Sequence, residues 1–431
     1  MRLVILFIAL SFSISLAAGS LVAAADGAPD THGWAGQSGV SWHWILPPTA
    51  NGLQPNQSWH AIAGAGDGAI YVAGMDHLTN SALYRIDPET RALVSVGDAR
   101  AASEAAGNWT AGETVEKFHT RPLWHKGSVY VASMNRSSLN SDYLDVRGFH
   151  WYAYEAQQKI FRDLSAVEPG GASAEHGNIV ATASDPKRNR IYGASVPTAD
   201  LFLYDVASGT TKNLGRPATF DRPYVYTGRV MWVDSRGRLY FTAGNPINGA
   251  HDPAIYAHVY FYDPDTGFGE RTDFKLQEPR ALESGQCLDK GRRCVFTDDA
   301  GHIYLFEDAG PSWRYIGQID RQNQWSFIWM MQVSADARTL FASTSLGVKP
   351  SVLFAFDLAT GVTRPLCRIG DLDPALAGYE IHTGANAWDR KGRFYFASSG
   401  PRGVIVTRLD PAALLRNGVQ GSPCKAPAKT R

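Results

Sequence analysis

Apolar and aromatic residues fall in short runs, separated by turns rich in Gly, Asp and Pro, and one phrase keeps returning. A turn carrying Gly or Asp leads into an apolar strand with a central Tyr or Phe. After a gap comes a second apolar-aromatic strand, often closed by Asp. The first strand reads GDGAIYVAG around Tyr71, HKGSVYVAS around Tyr130, PKRNRIYGAS around Tyr192 and SRGRLYFTAG around Tyr240. It returns as DAGHIYLFED around Tyr304, ADARTLFAST around Phe341 and RKGRFYFASS around Tyr395. The second strand reads LYRIDPET, WYAYEAQQ, LFLYDVASG, VYFYDPDTG, SWRYIGQID, LFAFDLATG and VIVTRLDPA. Chance hairpins in a sandwich would not keep the same order of turn, strand, gap and strand. The aromatic markers are 37 to 64 residues apart, so each unit has room for four short antiparallel strands. A fixed repeat of this kind predicts radial packing of blades, in which only short edges are exposed. The expected fold is all-β: a seven-bladed β-propeller in a single domain, residues 41–416. Ser41-Trp42-His43-Trp44 is expected to complete the last blade.

The flanks read differently. Residues 1–25 begin with Arg2, continue through LVILFIALSFSISLAAGSLV and end in small residues, the pattern of a secretory signal peptide. Residues 26–40 read as a leader and 417–431 as a polar tail. Export to a secreted or periplasmic location would permit disulfides. Cys287 and Cys294 flank a turn-like hexapeptide, LDKGRR, and suit a local clip; Cys367 with Cys424 would then tie the tail to the body. Four cysteines allow three pairings. The chain has 41 basic against 41 acidic residues, and only 19% of positions are charged. That balance argues against nucleic acid and anionic membrane surfaces as partners. A monomer is expected.

The repeat also locates candidate chemistry. Counting back 11 to 16 residues from each marker reaches the start of the strand expected to line the channel. The positions are His60, His119, His176, Arg229, Trp329 and His382. The fifth unit is irregular there and offers Arg292 or Arg293. A lone buried His is ordinarily structural, whereas a ring of them around one opening suits a binding or catalytic mouth. His150 in VRGFHWYAYE, with Arg147 nearby, and Arg222, Tyr224 and Tyr226 in FDRPYVYTGR should reach the same face. Tyr192 lies near the end of its strand, although every unit has an aromatic there. No GKS/T phosphate loop, HExxH or GxSxG is present. Asp263-Pro264-Asp265-x-Gly267 resembles the start of a calcium loop, but the later ligand spacing fails, and it reads as a turn.

A mouth of His, Tyr and Arg suits β-elimination on a uronic acid better than glycoside hydrolysis, which uses a pair of carboxylic acids. Elimination removes the C5 proton next to a carboxylate and expels the C4 oxygen. It needs a cation to neutralise the carboxylate, a base, and an acid for the leaving oxygen. Here KFHTRP around His119 and Arg121, RGFHWYAYE around His150 and RIYGASVPTADLFLYD around Tyr192 resemble the secreted propeller polysaccharide lyases of the ulvan-lyase and oligogalacturonate-lyase-like kind. The resemblance implies His119 and His150 as base or carboxylate neutralisers and Tyr192 as proton donor or base. No arginine follows Tyr192 at the spacing that type leads one to expect, so Arg229 or Arg222 would take its place. The substrate-binding set is His60, Arg121, Arg147, His176, Arg222, Tyr226, Trp329 and His382. The partner is then an anionic polysaccharide or oligosaccharide, and the mechanism requires no cofactor. The resemblance leaves a bound calcium or zinc ion open. Two other classes stand beside this one. One is a carbohydrate-binding propeller without chemistry, using Trp329 as a platform. The other is a lactonase- or oxidoreductase-like enzyme holding a metal on His119, His176 and His382.

Overall fold

The structure is a computed structural model, and it describes residues 33–135, 146–217, 227–244, 257–277, 281–298, 300–310, 312–319, 328–345 and 350–417. These residues are almost all strand and turn. Five separate four-stranded sheets follow one another along the chain, each an up-and-down antiparallel meander apart from one inserted excursion in the second. A two-stranded sheet pairs Gly148–Phe149 with Ala174–Glu175, and a nine-stranded sheet holds the rest. It contains one meander from Met330–Val333 to Thr363–Arg368, and a second built on Glu380–Ala385, Phe394–Gly400 and Gly403–Leu409. Their first strands join through a short parallel pairing, Met330 with Gly384 and Met331 with Ala385. Among the described residues no helix is long and apolar enough to cross a membrane.

The last meander is completed from the other end of the chain. Ser41–Ile45 pairs antiparallel with Gly403–Leu409, Trp42 opposite Arg408 and Trp44 opposite Val406. The expected closure by Ser41-Trp42-His43-Trp44 is therefore present. The sheet also reaches into the expected leader, since Trp34–Ala35 adds a further short strand against Trp42 and His43. The signal-peptide residues lie outside the described residues, as does the tail beyond the helix Pro411–Asn417.

The repeated phrase has a physical cause at both of its turns. Asp389 Oδ1 accepts the backbone N–H groups of Lys391 and Arg393 at 2.9 and 3.0 Å, while Oδ2 accepts the Tyr395 hydroxyl at 3.0 Å. Asp67 does the same for Ala69 and Tyr71. The carboxylate thus nucleates the hairpin between the first two strands and also satisfies a buried phenol. Burial, then the facing carboxylate, pushes the Tyr71 and Tyr395 hydroxyls well above their ordinary range, so they remain neutral donors. The later turn is set by Asp205, Asp263 and Asp357, each accepting an N–H two residues on. These backbone donors hold the three carboxyls below their usual range. Four residues after each Asp stands a glycine in the left-handed region, Gly209, Gly267 and Gly361, with φ of 71°, 83° and 71°. Gly267 belongs to the segment with the calcium-loop look, which is a hairpin turn.

One unit departs from the sequence register. The aromatic marker lies on the second strand of its meander in six units, but Tyr304 lies on the third, His302–Glu307. The second strand of the fifth meander is Arg293–Asp298, with Phe296 in the place of the marker. Arg292 and Arg293 are therefore not at the inner strand's start; they follow the turn that leaves it. The inner strand is Leu282–Leu288, which brings Glu283 to that place. The slip arose because Asp298 caps the following turn and accepts from Tyr304, imitating the pattern of the other first turns. Cys287 and Cys294 are opposite each other in this hairpin and are joined by a disulfide, the local clip expected. Cys367 is disulfide-bonded as well, and Cys424 lies outside the described residues.

Apolar clusters fill the spaces between successive sheets, so each meander is covered by its neighbours. Two buried glutamines bridge these joints. Gln286 receives the Val333 N–H and donates to the Val333 carbonyl; Gln332 receives the Ala387 N–H and donates to the Tyr395 carbonyl. Gln332→Leu would leave a buried N–H and a buried carbonyl without partners, a cost of about 2–4 kcal/mol at 1–3 kcal/mol per orphaned group. The expected result is a lower urea midpoint with an unchanged slope, measured by tryptophan fluorescence.

Candidate functional site

The inner strands bring several of the candidates to one place. Trp59 and His60 precede the first meander, and His60 N–H points to the His382 carbonyl at 3.5 Å. The Trp59 ring centre lies 4.8 Å from that of Trp329 and 4.8 Å from that of His382. The His60 ring lies 5.2 Å from His119 and 5.5 Å from Trp329. Residues from four meanders, separated by more than three hundred positions in the chain, thus form one aromatic and imidazole cluster. His60 sits there with φ of 53°, a left-handed conformation that costs a non-glycine residue about 1 kcal/mol or more.

Cations surround this cluster. Arg229 Nη1 lies 2.6 Å from Glu283 Oε2, on the neighbouring inner strand. Arg121 donates from Nη1 to the Gly285 carbonyl at 2.8 Å, linking the second unit to the fifth. Lys117 Nζ stands 5.8 Å from the Trp59 ring centre. Burial, followed by the charge of Arg229, holds Lys117 down to about 8. Burial alone lowers Arg121 to about 10, so it stays charged at neutral pH. The same causes act on the imidazoles. Burial first, then Arg229 and Arg121, drives His60 well below its usual value; burial, Arg229, His60 and Lys117 do so for His119. Both rings are neutral at pH 7. His60 Nε2 and His119 Nδ1 are buried and meet no hydrogen-bond partner among the described residues. An arrangement of two neutral bases, cations and indole faces can hold an anion against an apolar ring face and accept a proton from it.

Glu283 is the participant that the sequence reading missed, through the slipped register of the fifth unit. Trp59 was missed as well, although it adjoins His60 in the motif SWHAIAG. His382 belongs to the cluster as expected, with Glu380 Oε2 3.0 Å from its Nε2.

His150 and Arg147 lie elsewhere. Lys117 bridges Met134, just past the second strand Ser128–Ala132, and Ser133 exchanges hydrogen bonds with His150, just before the third strand Trp151–Glu155. His150 is thus two strand spacings, about 10 Å, from the inner edge. Its Nδ1 is 2.8 Å from Asp163 and its Nε2 is 3.0 Å from Glu113, with no side-chain exposure. Asp163 Oδ2 also accepts from Ser103 and Asn108, and Arg147 shares Glu113 at 3.0 Å. Although burial opposes it, bonding to Asp163 and Glu113 raises the His150 pKa. This is a fully used ionic network that fastens the helix Ala99–Ala105 and the following loop to the second sheet. Both ring N–H groups of the charged His150 are taken by carboxylates and Arg147 is tied to one of them, which corrects the expectation of His150 and Arg147 at the mouth.

Tyr192 is corrected for a different reason. It is completely buried in the apolar cluster between the third and fourth sheets, with Ala183, Leu239 and Phe241. Its position is that of the other marker aromatics. His176, at φ 58°, pairs with the Val146 carbonyl at 2.7 Å and lines an outer cleft of about 410 Å³ beside Glu168, Asp200 and Phe202. His119, His176 and His382 therefore do not converge, and among the described residues no group of three or more His, Cys, Asp and Glu is placed to hold a metal ion. Arg222 and Tyr226 lie outside the described residues.

No family model matches the chain, and no curated protein matches it. Solved structures do. YCF48 from Cyanidioschyzon merolae is 11% identical with a TM-score of 0.51, covering 86% of this chain and 99% of that one. A chain of a mitotic checkpoint complex is 9% identical with a TM-score of 0.51, covering 95% and 99%. The fold is β-propeller-like. At such identities the likeness extends to the fold alone.

Two stability predictions follow from the electrostatics. His150→Ala strands Asp163 as a buried charge and leaves Glu113 to Arg147 alone, and should cost about 3–5 kcal/mol in chemical denaturation. Below the ordinary histidine value of 6.5, His60 and His119 bind fewer protons folded than unfolded, so their contribution is full above about pH 6.5 and is lost as pH falls. His43, lowered to about 4 chiefly by burial, acts in the same direction. The thermal midpoint should fall from pH 6.5 toward pH 4, and more gently in a His60→Gln/His119→Gln variant followed by calorimetry.

Proposed function

We propose that the chain is a secreted seven-bladed propeller, its seven meanders being the blades, that cleaves a uronic-acid-containing polysaccharide by β-elimination. One observation carries this reading: two neutral buried imidazoles, His60 and His119, have ring nitrogens without hydrogen-bond partners among the described residues, beside the indoles of Trp59 and Trp329 and within the influence of the Arg229 charge. A uronate ring stacked on the indoles would turn its carboxylate toward Arg229 or Lys117. Neutralising that carboxylate lowers the energy of the carbanion-like intermediate, and a neutral imidazole is the protonation state a base requires. His119 and Arg229 keep the roles that the sequence motifs gave them; His60 joins them, while His150 and Tyr192 act in folding. The mechanism calls on no metal, and the expected histidine ligands do not fit one.

A second reading has its own support. Trp59, partly exposed, packs on the buried rings of Trp329 and His382, and a propeller that only binds an anionic sugar would need no more than this indole and the nearby cations. Ultraviolet absorbance separates the two, because elimination creates an unsaturated uronide absorbing near 235 nm. A screen of uronate polysaccharides should give this signal with the wild-type protein. His119→Ala should lower the rate at least about 10²-fold, the usual contribution of a general base. Tyr192→Phe should retain it. Calorimetric binding without absorbance would favour the binding module, and full activity in His119→Ala would remove that residue from the mechanism.

A further inference from the structure

A cleft of about 900 Å³ lies over the last meander, on the same end of the sheets as the His and Trp cluster. Strand pairing places it there. Glu380 and Ile381, at the start of the strand that carries His382, are opposite Ser399 and Ser398. The residues that follow, Gly400 to Gly403, turn into the third strand and form one wall of the cleft. Ile45, at the end of the closing strand, and Trp34 on the short strand beyond it extend the lining outward. The segment Gln54-Pro55-Asn56 faces the turn. Gly403 has a φ of 90°, and a Cβ there would lie 2.5 Å from the Pro55 carbonyl, so glycine lets this segment close on the turn. The same segment leads to the cluster. Asn56 is three residues before Trp59, at most about 10 Å of extended chain. Ser58 N–H donates to Ser399 Oγ at 3.3 Å, and Trp59 Nε1 donates to Gln57 Oε1 at 2.5 Å.

The chemistry of the lining is selective. Proline side chains and the partly exposed Trp34 give it apolar faces, and the exposed Gln54 and Asn56 add amides. Arg402 is the charged residue of the lining. It is exposed, its guanidinium carbon stands 5.4 Å from the Trp34 ring centre, and it forms no ion pair among the described residues. The carboxylate beside Trp34 is Asp373, which is buried and outside the lining; it accepts from the indole Nε1 and from the Ala375 N–H, and so fixes the ring. Apolar faces, amides and an uncompensated guanidinium match a sugar ring that carries hydroxyls and a carboxylate, in a volume within the roughly 300–1,000 Å³ of small-ligand sites.

We propose that this cleft is a second carbohydrate subsite, which holds uronate residues of the same polymer beyond those at the mouth and binds a carboxylate on Arg402. The inference rests on an anionic polysaccharide as the ligand, and it holds for the lyase and the binding-module readings alike.

The test is calorimetric titration of wild type, Arg402→Ala and Arg402→Lys with polygalacturonate, alginate and a glucuronate-containing polymer, each beside its disaccharide and beside a neutral glucan. Arg402 is exposed, so its replacement should leave the fold intact. For the polymers that bind, Arg402→Ala should weaken the affinity about tenfold or more, the worth of a hydrogen bond to a charged group, and Arg402→Lys should restore part of it. Disaccharides, which fill the mouth alone, should bind all three proteins equally. Where elimination is seen at 235 nm, Arg402→Ala should raise KM on the polymer and leave kcat unchanged. Wild-type affinity of Arg402→Ala for the polymers overturns the subsite, and the reading of the mouth stands. Equal loss on the disaccharides overturns a subsite separate from the mouth. A neutral glucan bound as tightly as the uronates overturns the anionic class. Deletion of residues 26–32 should not change polymer affinity; a rise would assign the cleft to that segment and overturn the subsite. Absence of binding to every uronate polymer overturns both this subsite and the function proposed above.

Discussion

Everything at the inner mouth depends on the pairing of Ser41–Ile45 with Gly403–Leu409. It joins the beginning of the folded chain to its last meander, and it is what sets His60 beside His382 and Trp59 beside Trp329. The strand is held by more than its ladder. His43 is buried between Ser41 and Thr407, its two ring nitrogens 3.1 and 2.9 Å from the hydroxyls. Trp44 stacks on Tyr395 with ring centres 6.0 Å apart, and Tyr395 in turn is held by Asp389. The closure therefore runs into the same Asp–Tyr hairpin that shapes the sheets. A strand of this length gains little alone, and its stability comes from the buried face it completes.

The Asp–Tyr hairpin also explains why the fold was legible and the site only partly so. Short-range chemistry writes itself into the sequence: an Asp, a tight turn and a Tyr that reaches back are neighbours, so they recur as a visible phrase. Strand alternation and turn residues were enough to place six markers on the correct strand. The seventh, Tyr304, misled because Asp298 makes the same local arrangement one turn later. Local patterns do not say which hairpin of a meander they occupy, and only the pairing of Leu282–Leu288 with Arg293–Asp298 settles it.

The side chains that gather at the mouth were found where a strand's start could be counted, as for His60, His119, Arg229, Trp329 and His382. His150 and Tyr192 were misread for opposite reasons. His150 has polar company that is remote in sequence, Asp163 and Glu113, and no spacing rule reveals that both of its nitrogens are occupied. Tyr192 looked chemical because it stood beside a motif, yet it performs the task of every marker aromatic. Burial decides both cases, and burial is a property of packing between sheets.

Electrostatics then divides the histidines into three kinds by the same rule. His60 and His119 are desolvated beside guanidinium groups and are held neutral. His150 lies between two carboxylates and is held charged. His382 shares the desolvated mouth with the first pair and the carboxylate contact with the last. One cluster thereby sets two neutral imidazoles a few ångströms from a third that touches a carboxylate. The zero net charge of the chain conceals such local arrangements, because Arg229 and Glu283 cancel in the sum while remaining distinct in space.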